Sequence, residues 1–279
     1  TVTREVTAAV TRSDDGPVTW LTLARPEAMN ALSDQVAAEL DAHLAGIETD
    51  RDVRVVVVTA TGRAFCAGAD LKEVLGSDGQ LDPRRLLDFE ARLAAVFGRL
   101  AALPKPVIAA LNGITMAGGL ELALHCDLVV ASSEARIGDG HINYGLLPGA
   151  GGAARLPRVV GATRAKYLAF TGALLPADQA QAIGIVNEVV APDQLAARTQ
   201  ELAASIARRS PSALRLFKQA IDDGLDQPLE TALRLERLVT AEHLLSGDVQ
   251  EGLRAFGEKR EPVFPSATSP STSPAGSNR

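Results

Sequence analysis

Basic charge, cysteine and long apolar runs are all in short supply in this chain, and each shortage removes a class of explanation. The net charge is −6 and the pI is near 5.3, the reverse of the clustered basic surface that nucleic-acid binding requires. An acidic ligand would then depend on local lysines and arginines. The two cysteines, Cys66 and Cys126, sit in apolar or glycine-rich runs without metal-ligand spacing, so neither a disulfide framework nor a metal site is expected. A reducing cytoplasm is the expected setting. No run approaches the roughly 20 consecutive apolar residues that span a bilayer, and the N-terminus lacks the basic and apolar regions of a secretory leader. Neither a membrane nor a nucleic acid is expected as a partner. The chain begins at Thr1 rather than at Met, which is consistent with upstream residues having been trimmed.

What is present is enough apolar material for a large core: 46% of 279 residues are hydrophobic. Residues 18–23 alternate as a strand does, 53–59 form a run rich in β-branched residues, and 107–111 and 128–131 are short buried-strand patterns. Helical patterns at 34–47, 83–103 and 120–125 lie between them, which predicts an α/β fold with a largely buried sheet. Beyond residue 150 the pattern turns mostly helical, with one strand at 185–190 and amphipathic helices at 195–208, 213–224 and 229–245. The last segment, PSATSPSTSPAGSNR, is too poor in apolar residues to order itself and predicts a disordered tail.

Two segments carry chemistry. AFCAGADLKEV and LNGITMAGGLELALHCDLVVAS each bring the backbone to a tight turn that glycine permits. A pair of such turns can aim two peptide N–H groups at one oxygen, an oxyanion hole suited to a thioester carbonyl. The plainer alternative is two ordinary glycine turns between strand and helix. A dinucleotide fingerprint is a weak alternative, because GLLPGAGGAARL lies past the middle of the chain and follows no strong strand.

These segments occur in order with RPEAMNALS, IGDGHINYGLLPGAGGAARLPRVVG, ATRAKYLAFTGALLPADQAQAIGIVNEVV and LRAFGEKREPVF. Over residues 18–264 the chain resembles the crotonase superfamily, the enoyl-CoA hydratase and isomerase proteins. The resemblance implies an α/β fold: a spiral of ββα units over residues 1–195, a helical trimerisation region over 196–264, and the tail over 265–279. It also implies a lyase or isomerase of fatty acid metabolism, acting as a homotrimer or a dimer of trimers. Coenzyme A enters as part of the acyl-CoA substrate, with no permanently bound cofactor.

Residue by residue, the resemblance gives the two amides to Ala69 and Gly118. Gly119 suits the same turn, leaving a ligand close to the backbone and permitting positive φ. Glu121 stands where the hydratases carry one catalytic carboxylate; the competing role is a cap on its own helix. Their second glutamate is absent, and His141 stands in its place. Histidine can move a proton near neutral pH, so Glu121 and His141 can still form an acid/base pair, although a histidine satisfied by the backbone is the blander reading. Asp139, Asn143 and Tyr144 are polar neighbours without a family role. For coenzyme A the resemblance points to Ala28, Met29, Ala67, Asp70 and Leu71, with Lys72 and Lys259 as phosphate partners and Arg25 as an anchor of the first turn. The loop at 76–83 is expected to cover the acyl end. Hydration or double-bond migration of an enoyl-CoA is the leading expectation. The alternatives are β-keto ring-opening hydrolysis, decarboxylation, thioester hydrolysis and a noncatalytic acyl-CoA binder.

Overall fold

A run of four valines, Val55–Val58, is fully buried, with no alternation between faces. That is the signature of a strand inside a parallel sheet with both faces covered, and it marks the centre of the architecture. The computed structural model describes residues 7–75 and 78–267.

Strands β1 (Val10–Asp15) and β2 (Val18–Leu23) form an antiparallel hairpin. Helix α1 (Asp34–Thr49) follows, opened by Ser33, whose Oγ accepts the Val36 amide at 3.1 Å. Three strand pairs come next, each trailed by helix: β3 (Val55–Ala60) and β4 (Ala64–Cys66) with α2 (Leu71–Val74) and α3 (Pro83–Ala101); β5 (Val107–Leu111) and β6 (Ile114–Met116) with α4 (Gly118–Ala123); β7 (Leu128–Ser132) and β8 (Arg136–Gly138) with α5 (Gly152–Val160) and α6 (Ala162–Thr171). Then come β9 (Leu175–Pro176), α7 (Ala177–Ala182), β10 (Glu188–Val190) and α8 (Leu195–Ala207), and finally α9 (Pro211–Leu225), α10 (Leu229–Leu244) and α11 (Gly247–Glu258).

The first strand of each pair enters one sheet and the second strand another. The larger sheet runs β1-β2-β3-β5-β7-β10 and the smaller β4-β6-β8-β9. Strands β3, β5 and β7 are parallel neighbours, and so are β4, β6 and β8. Every repeat therefore advances the chain by one strand in both sheets, which is the ββα spiral expected from the sequence. Helix α3 buries Phe89, Leu93, Val96, Phe97 and Leu100, a stripe at helical spacing that packs into the main core.

The described residues form two compact units. One comprises the chain as far as Leu103 together with Val107–Ala204, and the other Pro104–Pro106 together with the chain from Ser205 onward. Within the second, α9 packs on α10, and Ser210 both caps α9 and hydrogen-bonds Asp248. The first residues of the expected tail, Pro265–Ala267, form a 3-10 turn in which the Ser266 amide donates to Asp248 at 2.9 Å. The rest of that tail, residues 268–279, lies outside the described residues. Large apolar side chains of this unit stand in solvent, among them Phe217, Leu225, Leu229, Leu245 and Phe256, the last at 86% exposure.

Candidate active site

Cys66 pairs with Thr115, Thr115 with Ile137, and Met116 with Gly138, so β4, β6 and β8 end almost level. The residues that follow each strand, 67–69, 117–118 and 139–141, therefore leave the carboxyl ends of three adjacent parallel strands. That crevice is where parallel sheets place ligands.

The first turn is held by its neighbours. The Ala67 amide donates to Met29 O at 3.1 Å, the Leu32 amide to Gly68 O at 2.8 Å, and the Asp70 amide to Leu32 O at 2.7 Å. The Ala69 amide is skipped. In the second turn the Ala117 amide donates to Asp139 O at 2.6 Å, and Gly118 opens α4. Among the described residues neither the Ala69 nor the Gly118 N–H has a hydrogen-bond partner, and both residues line one cavity. The turns touch, since a Cβ on Gly118 would lie 3.7 Å from Gly68 Cα. Two unpaired amides facing one cavity are competent to receive a developing oxyanion.

The positive φ angles fall elsewhere than on Gly118 and Gly119. Gly68 has φ +106, and the strained residue of the second turn is Ala117, at φ 52 and ψ −120. A non-glycine residue held there costs on the order of 1–3 kcal/mol, a strain typical of functional turns. Gly119 is needed for packing rather than for ligand approach: a Cβ would fall 2.2 Å from Cys66 O. Cys66 itself is inert, because burial pushes its thiol up to about 12.

Glu121 lies on the same short helix, its side chain only 4% exposed. It does not cap that helix. Its Oε1 accepts the Ala150 and Gly152 amides, each at 2.8 Å, while Oε2 faces His141 Nε2 at 3.8 Å. Burial raises the Glu121 carboxyl, against the pull of the Gly152 and Ala150 amides and of His141. His141 Nδ1–H donates to Asp139 Oδ1 at 3.1 Å, and its backbone amide donates to the same oxygen at 3.2 Å. A carboxylate can only accept there, so Nε2 is left pointing at Glu121. Burial alone would lower His141, but the hydrogen bond and charge of Asp139, with Glu121 and Glu90 behind it, carry the net shift upward. His125 supports from below, with Nδ1 donating to Glu121 O at 2.7 Å; burial drives it down to about 4, so it is neutral at pH 7.

Among the remaining expected residues, Ala67 and Leu71 line the cavity together with Ala69, Gly118, Glu121 and His141. Ala28 ends the 3-10 turn Pro26–Ala28 before α1, and Met29 caps it in the left-handed region at φ 50. Arg25 anchors this turn, reaching Ala31 O at 2.7 Å and Asp70 at 2.8 Å, so Asp70 is engaged with Arg25 while it also caps α2. Lys72 lies on α2 and does not line the cavity, whereas Lys259 ends α11 in the second unit at φ 55. Asn143 is tied to Gly172 O at 3.2 Å, and Tyr144 lines the cavity while 70% exposed. Leu75 and Leu81 bridge the base of the loop expected to cover the acyl end; residues 76 and 77 lie outside the described residues.

Glu90 is a charged cavity residue that the sequence reading did not single out. Leu86, Phe89, Glu90 and Leu93 share one face of α3 and line the cavity together, and Glu90 is the sole charge among those four. An acid at that spacing within an apolar stripe was the available signal.

A two-sheet ββα spiral with two free amides beside a buried carboxylate defines the class of enzymes that hold an acyl oxygen while a proton moves nearby. The chain belongs to the enoyl-CoA hydratase/isomerase family, whose sequence model matches residues 14–267. It is similar to the short-chain-enoyl-CoA hydratase of Clostridium acetobutylicum, 40% identical over 88% of this chain and 94% of that one. Its fold is similar to that of enoyl-CoA hydratase from Bacillus anthracis, with a TM-score of 0.88, 36% identity, and coverage of 92% of this chain and 98% of that one. The enoyl-CoA hydratase of Mycobacterium smegmatis is likewise similar, at a TM-score of 0.86 and 34% identity over 92% and 98%.

Proposed function

We propose that the protein adds water across the double bond of a 2-enoyl-CoA, with Glu121 and His141 dividing the proton work. The observation that carries this reading is the Asp139–His141–Glu121 chain, which ends 3.8 Å apart at two groups able to exchange protons. One water can touch both at an angle. As the water oxygen bonds to C3, Glu121 Oε2 accepts its proton. The π electrons move onto the thioester oxygen, where the Ala69 and Gly118 amides stabilise the enolate. His141 Nε2–H then supplies the proton to C2, the carbonyl re-forms, and passage of the proton from Glu121 to His141 resets the pair. The upward shifts favour these roles: burial makes the Glu121 carboxylate more basic, and Asp139 helps His141 to hold its proton.

Coenzyme A would lie along the Ala28–Met29 turn and the Ala67–Leu71 segment, with Lys72 as a phosphate contact, while Lys259 would reach a phosphate held by a neighbouring subunit. The uncovered apolar side chains of the second unit support assembly as a trimer or a pair of trimers, and the few cysteines suit a reducing cytoplasm. Among the described residues no helix is long and apolar enough to cross a membrane. Purified protein incubated with short, medium and aromatic 2-enoyl-CoA esters should abolish the conjugated thioester absorbance and give products heavier by one water. Esters that bind but are left unchanged would end the hydratase reading and turn attention to isomerisation, decarboxylation or hydrolysis.

A further inference from the structure

Glu90 is a carboxylate in an apolar wall. It projects from the α3 face that carries Leu86, Phe89 and Leu93, and Leu146 and Leu147 line the same cavity. Among the described residues it makes no hydrogen bond and no ion pair, although it is half-buried. Its seat is specific: a Cβ on Gly149 would fall 2.2 Å from Glu90 Cδ and 2.4 Å from Oε2, so the carboxyl lies directly over that glycine. Gly149 immediately precedes Ala150, whose amide holds Glu121. Glu90 thus sits beside the reacting groups without a hydrogen bond to them, and burial raises its carboxyl while His141 draws it down.

We infer that Glu90 selects the acyl group: it accepts a hydrogen bond from a hydroxyl or amine on the acyl chain, so the site prefers a polar acyl thioester to a plain alkyl one. This rests on the coenzyme A thioester reading above. A plain alkyl chain entering the cavity strips water from the carboxylate and offers nothing in return. A donor-bearing chain replaces that water. Sites built to bond a substrate hydroxyl discriminate strongly against the analogue that lacks it, because their own polar group is left unpaired.

Binding of saturated, unreactive esters separates this inference from the reaction assignment. Butyryl-, hexanoyl- and octanoyl-CoA are titrated calorimetrically against their ω-hydroxy analogues, using the full chain and Glu90→Leu and Glu90→Gln. At the chain length that reaches Glu90, the wild type should bind the hydroxy ester about tenfold or more tightly than its parent. Glu90→Leu should remove or invert that preference, and Glu90→Gln, which keeps the shape, should weaken it several-fold. Equal binding of every pair by the wild type, or a preference that survives both substitutions, overturns the role of Glu90 while leaving the thioester reading intact. Failure of every ester to bind the wild type overturns both. A kcat that falls equally for polar and alkyl enoyl-CoA esters in Glu90→Gln, with unchanged binding ratios, would place Glu90 in the proton chemistry and also overturn the proposal.

Discussion

The two sheets are built by the same repeats and do opposite jobs. Strands β3, β5 and β7 are five or six residues long, largely apolar and buried on both faces. Strands β4, β6 and β8 have three residues each and exist to deliver the turns that follow them. One sheet supplies burial, and the other supplies position. Stability and chemistry are thereby lodged in different strands of one repeat, and substitutions should separate them.

The largest separation is expected at Glu121. Glu121→Gln should lower kcat by roughly 10²–10⁴-fold, the usual worth of a general acid/base. The melting temperature and the affinity for a saturated acyl-CoA should hold, because the amide can still accept from Ala150 and Gly152. Unchanged turnover would remove Glu121 from the mechanism. The complementary experiment is Leu21→Ala in the larger sheet, where the side chain is wholly buried. It should cost about 2–5 kcal/mol in denaturant unfolding and leave kcat of the folded enzyme nearly unchanged; a matching collapse of kcat would show that the sheets are not separable.

Asp139→Asn tests the smaller sheet more finely. Asp139 supplies the main upward pull on His141, so its loss should move the alkaline limb of kcat/KM to lower pH. The sign extends to stability. A histidine raised on folding stabilises fully below its unfolded value, near 6.5, and that contribution fades as pH climbs through the folded value. Asp139→Asn should flatten this fall in a pH series of unfolding midpoints. An alkaline limb that does not move would exclude His141 as the proton donor. The smallest effect is expected at Ala117. Ala117→Gly relieves a backbone held at φ 52, a gain of about 1–3 kcal/mol, and gives back about 0.4–1 kcal/mol through the more flexible unfolded chain. The unfolding midpoint should rise modestly, and a fall would mean that the turn is not strained.

The same contrast explains what the sequence disclosed. Residues 18–23 and 107–111 read as strands because enough consecutive side chains shared one environment to set a pattern, and both strands stand at those bounds. Ala64–Cys66, Ile114–Met116 and Arg136–Gly138 could not be read this way, because three residues are too few to display a period. The turns after two of them were nevertheless legible from their glycines. The meaning of each glycine was not: Gly119 answers to Cys66, a contact between repeats that no local pattern encodes. Glu121 and His141 were legible by resemblance, but what aims them was not, since Asp139 and the Ala150 and Gly152 amides act through distance. Glu90 went unread because an acid on a helix is usually a solvated one.

The grip of the Ala150 and Gly152 amides on Glu121 has a consequence for the order of events in folding. The contacts span 29 and 31 residues, so the carboxylate is present in the growing chain well before the segment that orients it. A chain lengthening from its N-terminus can lay down β3 to β6 and the first oxyanion turn while the second still awaits Asp139 O and the base remains unaimed. The site is therefore complete only once residues 139–141 and 150–152 are both in place.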